Sequence, residues 1–102
     1  MSAVVAWRFE AAVWVAGSAG AWHFVSLPAP TSEEIRDLTD AAARPGFGSV
    51  RVAAAIGRTS WRTSVFPDTR RGTYVLPVKQ AVRRAEGFGA GDVVTVALEL
   101  LG

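Results

Sequence analysis

The sequence predicts a mainly β protein: a single closed or nearly closed six-stranded barrel with two short helices, spanning residues 1–102. Three observations predict it. Apolar residues recur at every second position in several separate runs, the period of a strand with one buried face. Those runs are short and are punctuated by Gly, Pro, Asp and Ser, as in small all-β domains. Half of the 102 residues are hydrophobic and none is cysteine, so one core can form without disulfide or thiolate-metal support.

The elements follow in chain order. From Val5 to Val15 the odd positions are all apolar, while Arg8 and Glu10 interrupt the even ones, which reads as one long strand. Those two charges also argue against a secretion signal or a membrane span, so a cytoplasmic, soluble protein is expected. Residues 17–20 make a turn, and "AWHFVSLP" is a second strand closed by Pro28 and Pro30. In "TSEEIRDLTDAAARPG", Thr31 or Ser32 can cap a helix and Glu33 and Glu34 suit its positive end. Ile35, Leu38 and Ala42 mark its buried face, and Pro45 with Gly46 stops it. "FGSVRVAAAIG" alternates as a third strand. "TSWRTSVFP" is a fourth, ended by Pro67; residues 68–72 turn the chain; and "TYVLP" is a fifth. "VKQAVRRAEG" has a helical period through Val78, Val82 and Ala85 and stops at Gly87. The last strand, "DVVTVALELL", puts Val94, Val96, Leu98 and Leu100 on one face.

The halves echo each other. "WHFVSLP", a helix and "GFGSVRVAAAI" are answered by "GTYVLP", a helix and "GFGAGDVVTVALEL". Two pseudo-symmetric strand-helix-strand units, each too small to bury its apolar face alone, account for the echo. Charge does not follow the symmetry. Residues 1–50 carry three arginines against five carboxylates, whereas residues 51–102 carry eight basic residues against four acidic ones, for a formal net charge of +2 overall. Such a regional excess is too sparse to identify a nucleic-acid binder.

The run "FEAAVW", "WHFVSLP", "SVRVAAAIG", "WRTSVFPD" and "YVLPVKQAVRRAEGFGAGDVVTVALEL" resembles the small bacterial family known as domain of unknown function 1905, across nearly the whole chain. The resemblance implies a six-stranded barrel and no established activity. More narrowly, "LPVKQAVRRAEGFGAGDVVTV" is similar to the swapped-hairpin unit of transition-state regulators and antitoxins. That likeness implies DNA binding through Lys79, Arg83 and Arg84, with Gly91 and Asp92 at the turn. The first helix departs from it, because "EEIRDLTD" is acidic and denies the symmetric basic face that phosphate contacts require.

Catalytic patterns are weak. His23 is the only histidine and lies in a strand run without a partner fixed by spacing. No His, Asp or Glu cluster has metal-ligand spacing. "GFGAGD" leads from helix to strand, the reverse of a phosphate-binding turn, and so reads as turn glycines. The four tryptophans sit in strand patterns that suit a core, with room for one to line a pocket.

The most informative stretch is "SWRTSVFPDTRRGTYVLPVKQAVRR". Trp61, Arg62 and Ser64 fall on one strand, Tyr74 on the next, and Lys79 and Arg83 four apart on the second helix. If they converge, they form an anion-accepting pocket with an aromatic side, for a carboxylate or a phosphate. Arg70 and Arg71, in the turn, read as solvated. The functional expectation is a non-enzymatic ligand-binding or protein-interaction module. It has no cofactor, and its ligand surface is Trp61, Arg62, Ser64, Tyr74, Lys79 and Arg83. The alternative is a DNA-binding regulator.

Overall fold

The computed structural model describes residues 4–39 and 48–101. Seven strands form one curled, half-barrel sheet: β1 (Ala6–Ala12), β2 (Trp14–Ala16), β3 (Trp22–Ser26), β4 (Val50–Ile56), β5 (Thr59–Asp68), β6 (Thr73–Pro77) and β7 (Val93–Leu100). Helix α1 (Ala29–Leu38) lies between β3 and β4, and α2 (Gln80–Glu86) between β6 and β7. The strand order is β1-β7-β4-β5-β6-β3-β2, and every neighbouring pair is antiparallel.

The described residues form seven strands rather than six because the long first strand breaks at Val13. β1 pairs with β7 and β2 with β3, so the chain changes partner between them. Val13 donates its N–H to the Asp92 carbonyl at 2.9 Å and accepts the Gly91 N–H at 2.8 Å. The break resets the alternation. Phe9 and Val13 face the core, whereas Val15, which an unbroken period puts beside them, is exposed.

Pairing repeats between the halves. Phe9 opposite Val96 is matched by Trp61 opposite Ala54, and Trp14 opposite Phe24 by Phe66 opposite Val75. Val25 opposite Leu76 lies at the junction. The matching residues differ from those the repeated Leu-Pro suggested. Leu27 corresponds to Val78, since each is buried just past its strand and donates its N–H across to the other half, to Tyr74 and His23 respectively, at 2.9 Å. The Phe47 position of the first Gly-Phe-Gly lies outside the described residues.

Several local expectations need correction. Helix α1 begins at Ala29, with Pro30 in the first turn where a missing N–H leaves no helical bond unmade. Thr31 and Ser32 are therefore inside the helix, both are buried, and neither caps it. Ile35 is buried, but Leu38, at the helix end, is 54% exposed; Ala42, Pro45 and Gly46 lie outside the described residues. Pro67 does not end its strand, because β5 has by then passed its last pair with β4, at Val65 opposite Val50, and a partner is required on one side only. On α2, Val82 is buried and Gly87 ends the helix at φ +70°, as read, but Ala85 is exposed.

Ser32 joins the helix to the sheet: its Oγ accepts the backbone N–H of Tyr74 at 3.0 Å, and the residue is 1% exposed. Replacing it leaves that buried donor without its acceptor. Ser32→Ala is expected to lower unfolding free energy by roughly 1–3 kcal/mol in a urea titration. A loss below about 0.5 kcal/mol, the size of an ordinary surface change, would contradict this role.

Candidate ligand site

Val65 faces the core, so the two-residue period of β5 turns Arg62, Ser64 and Phe66 outward. Register then sets their neighbours. Ser64 is opposite Arg51 on β4, Phe66 opposite Val75 on β6, Phe24 on β3 opposite Pro77, and Trp22 opposite Ala16 on β2. These outer-face positions form a groove of about 770 Å³ with Trp22, Phe24, Phe66 and Pro77 as its apolar part and Arg51 and Arg62 as its cations.

The aromatic part is braced. Trp22 and Phe24 stack with centroids 6.5 Å apart and planes at 16°, and Phe24 meets Trp14 at 5.0 Å. Trp14 donates its Nε1–H to Ser26 Oγ at 3.0 Å and carries the Arg71 guanidinium 3.8 Å from its ring centroid. Arg71 also bonds Asp68 at 2.9 Å. That hydrogen bond holds the Asp68 carboxyl below its ordinary range, against an opposing effect of desolvation and with help from the Arg70 and Arg71 backbone N–H groups. Arg71 is exposed, as its turn position suggested, and is held there by two partners.

A second cleft, of about 340 Å³, lies where β3, β5 and the start of α2 approach one another. Trp61, Arg62, Lys79, Arg83 and His23 border it. The Val78 N–H bonds the His23 carbonyl at 2.9 Å, which pins the entry to α2 against β3. Arg83 reaches back to donate Nε–H to the Val78 carbonyl at 3.3 Å, so its guanidinium is held beside that entry. Groove and cleft share Trp22, Arg62, Thr63 and Pro77, and among the described residues no acid lines either.

Five of the six residues expected at a site are therefore in this region. Trp61, Arg62, Lys79 and Arg83 border the cleft, and Ser64 lies with Arg62 in the groove. Tyr74 is the exception. It is 1% exposed and belongs to the core, because β6 turns Tyr74 and Leu76 inward. Arg51, Trp22, Phe24 and Phe66 were missed, although Trp22 and Phe24 alternate with His23 and Val25, and Phe66 shares its parity with Arg62 and Ser64. That alternation was the available signal.

His23 borders the cleft, and its Nδ1 is buried without a hydrogen-bond partner. Ser64 lies in the groove instead, and Asp92 accepts the Gly89 N–H at 2.8 Å in the turn before β7, so no base-nucleophile pair is assembled around the ring. In that turn Gly91 has φ +88°, the conformation a turn glycine supplies. No cluster of His, Asp and Glu among the described residues could hold a metal, and no helix among them is long and apolar enough to cross a membrane.

The profile of a family described as "Domain of unknown function (DUF1905)" matches residues 9–98. No curated protein matches the chain.

Proposed function

We propose that the chain, which belongs to the DUF1905 family, is a non-enzymatic binding module that takes a carboxylate or phosphate group into the cleft between β5 and the start of α2. One observation carries the reading: Arg62 from β5, Lys79 just before α2 and Arg83 within it border one cleft, with no carboxylate among its described lining residues. Among the described residues the ion pair is Arg71 with Asp68, so no described carboxylate pairs with those three cations. Arginine forks suit planar oxyanions, and a lysine beside them adds a mobile point charge. In this reading the curled sheet works as a six-stranded barrel closed through the bend at Val13, and the protein is cytoplasmic. An acidic segment of a protein partner is served by the same chemistry as a small anion.

DNA is the weaker fit. The helix that must mirror α2 is α1, whose exposed residues include Glu33, Glu34 and Asp37.

The test is thermal unfolding of the parent, Arg62→Ala and Lys79→Ala with inorganic phosphate, nucleotides, small carboxylates and a short duplex. Arg83 is left intact because its Nε–H bond to Val78 gives it a structural part. A ligand at 100 times its Kd stabilises the folded state by about 2.7 kcal/mol. For a domain of this size that is an expected rise of roughly 10–20 °C in the parent, reduced in both variants. No rise with any of these anions would make the cleft a solvated surface. A rise with duplex alone, collapsing as salt increases, would instead favour the regulator reading.

A further inference from the structure

We infer that the ligand has two parts, an anionic group held in the cleft and a planar aromatic body lying on Trp22 in the adjoining groove. The inference rests on the reading of the cleft as an anion site and adds the class of molecule it takes.

Trp22 is the main ground. It is 61% exposed, yet its ring is confined on two sides. Phe24 stacks beside it. Gly17, at φ +84°, passes so close that a Cβ there would come within 2.9 Å of Trp22 Cδ1. An indole that is both exposed and held in place offers a flat face at low entropic cost, as aromatic ligand platforms do. Phe66, 40% exposed, extends the same surface along β5.

Continuity and charge supply the second ground. The groove and the cleft meet at Trp22, Arg62, Thr63 and Pro77, so one molecule can touch the indole and the guanidinium of Arg62 together. Arg51, opposite Ser64, adds positive charge at the far side of the groove, and among the described residues neither lining includes an acid. A neutral apolar ligand leaves Arg62, Lys79 and Arg83 unpaired; a small inorganic anion leaves the aromatic groove to water. An aryl phosphate or aryl carboxylate satisfies both, and a mononucleotide is a molecule of this type.

The probes are 1-naphthyl phosphate, 2-naphthol and inorganic phosphate, titrated calorimetrically into the parent and into Trp22→Ala, with sedimentation run alongside. Naphthyl phosphate is expected to bind the parent about 10-fold or more tightly than inorganic phosphate, the scale of one aromatic stack. In Trp22→Ala that ratio is expected to fall to about 2-fold or less, while phosphate still competes with naphthyl phosphate in the parent. Equal affinities for the two phosphates in the parent, or a ratio that survives Trp22→Ala, would overturn the two-part ligand and leave the anion cleft standing. Naphthol binding as well as naphthyl phosphate, without competition by phosphate, would overturn the anion cleft itself; binding of no probe would overturn both. A parent dimer that Trp22→Ala dissociates would also overturn the inference, since a second copy would then occupy the groove.

Discussion

Tyr74→Ala is expected to lower the unfolding free energy by about 3–5 kcal/mol, the range for truncating a buried aromatic side chain to alanine. In a domain of this size the midpoint of a circular-dichroism melt should fall by roughly 15–30 °C. The grounds are its position. Tyr74 is 1% exposed and packs within the central cluster, with the Arg36 guanidinium of α1 6.0 Å from the ring centroid. Its backbone is used twice more: the N–H donates to Ser32 Oγ and the carbonyl accepts the Leu27 N–H. Tyr74→Phe keeps the ring and should lose less than Tyr74→Ala. A ligand-site tyrosine behaves otherwise, losing binding while the melt moves by only a few degrees, and that result would return Tyr74 to the site from which its burial removes it.

The misplacement of Tyr74 shows where sequence patterning stops being informative. In β6 three successive residues, Tyr74, Val75 and Leu76, are buried, so exposure does not alternate and the run gives no hint of which side is inward. Tyr74 and Leu76 face the core; Val75 faces outward but lies in the groove lined by Phe24 and Phe66. Where one face did meet water, the period was sufficient: Val94, Val96 and Leu98 are buried on β7 as read, and Val50, Val52, Ala54 and Ile56 on β4. Val13 carried no signal because an apolar residue in an apolar series looks the same whether the strand continues or changes partner. The convergence of Arg62 with Lys79 and Arg83 depends on how α2 crosses the end of β5, a property of the chain path that no spacing encodes. Their residue types were legible; that Glu86, only three residues after Arg83, is taken up by Thr59 instead was not. The groove was legible in part, since outward-facing Trp22, Phe24 and Phe66 declare themselves once each strand is assigned an inner side by its valines.

The position of α2 over β5 depends in turn on a contact at the far end of that helix, and this gives the second large effect. Ile56 pairs with Thr59, so Gly57 and Arg58 form a two-residue hairpin loop with Gly57 at φ +59°. Glycine at the first central position is what such a loop favours. Glu86 is the last residue of α2, where the helix dipole disfavours a carboxylate, yet its Oε2 accepts the Thr59 hydroxyl at 2.7 Å. The carboxylate occupies the space a side chain at position 57 would need: a Cβ there would overlap Glu86 Oε1 and come within 2.7 Å of its Cδ. Gly57→Ala therefore imposes an unfavourable backbone conformation, at about 1–2 kcal/mol, and displaces Glu86 from Thr59, at about 1 kcal/mol more. The expected loss is about 2–3 kcal/mol, readable in a urea titration, and it should be accompanied by weaker anion binding because α2 carries Arg83 against the cleft. Glu86→Ala removes the obstacle along with the bond. The double variant should then lose about 1 kcal/mol less than the two single losses added together, since displacement of the carboxylate is counted only once. Strict additivity would mean that Glu86 moves aside freely, and that its bond to Thr59 does not hold α2 in place.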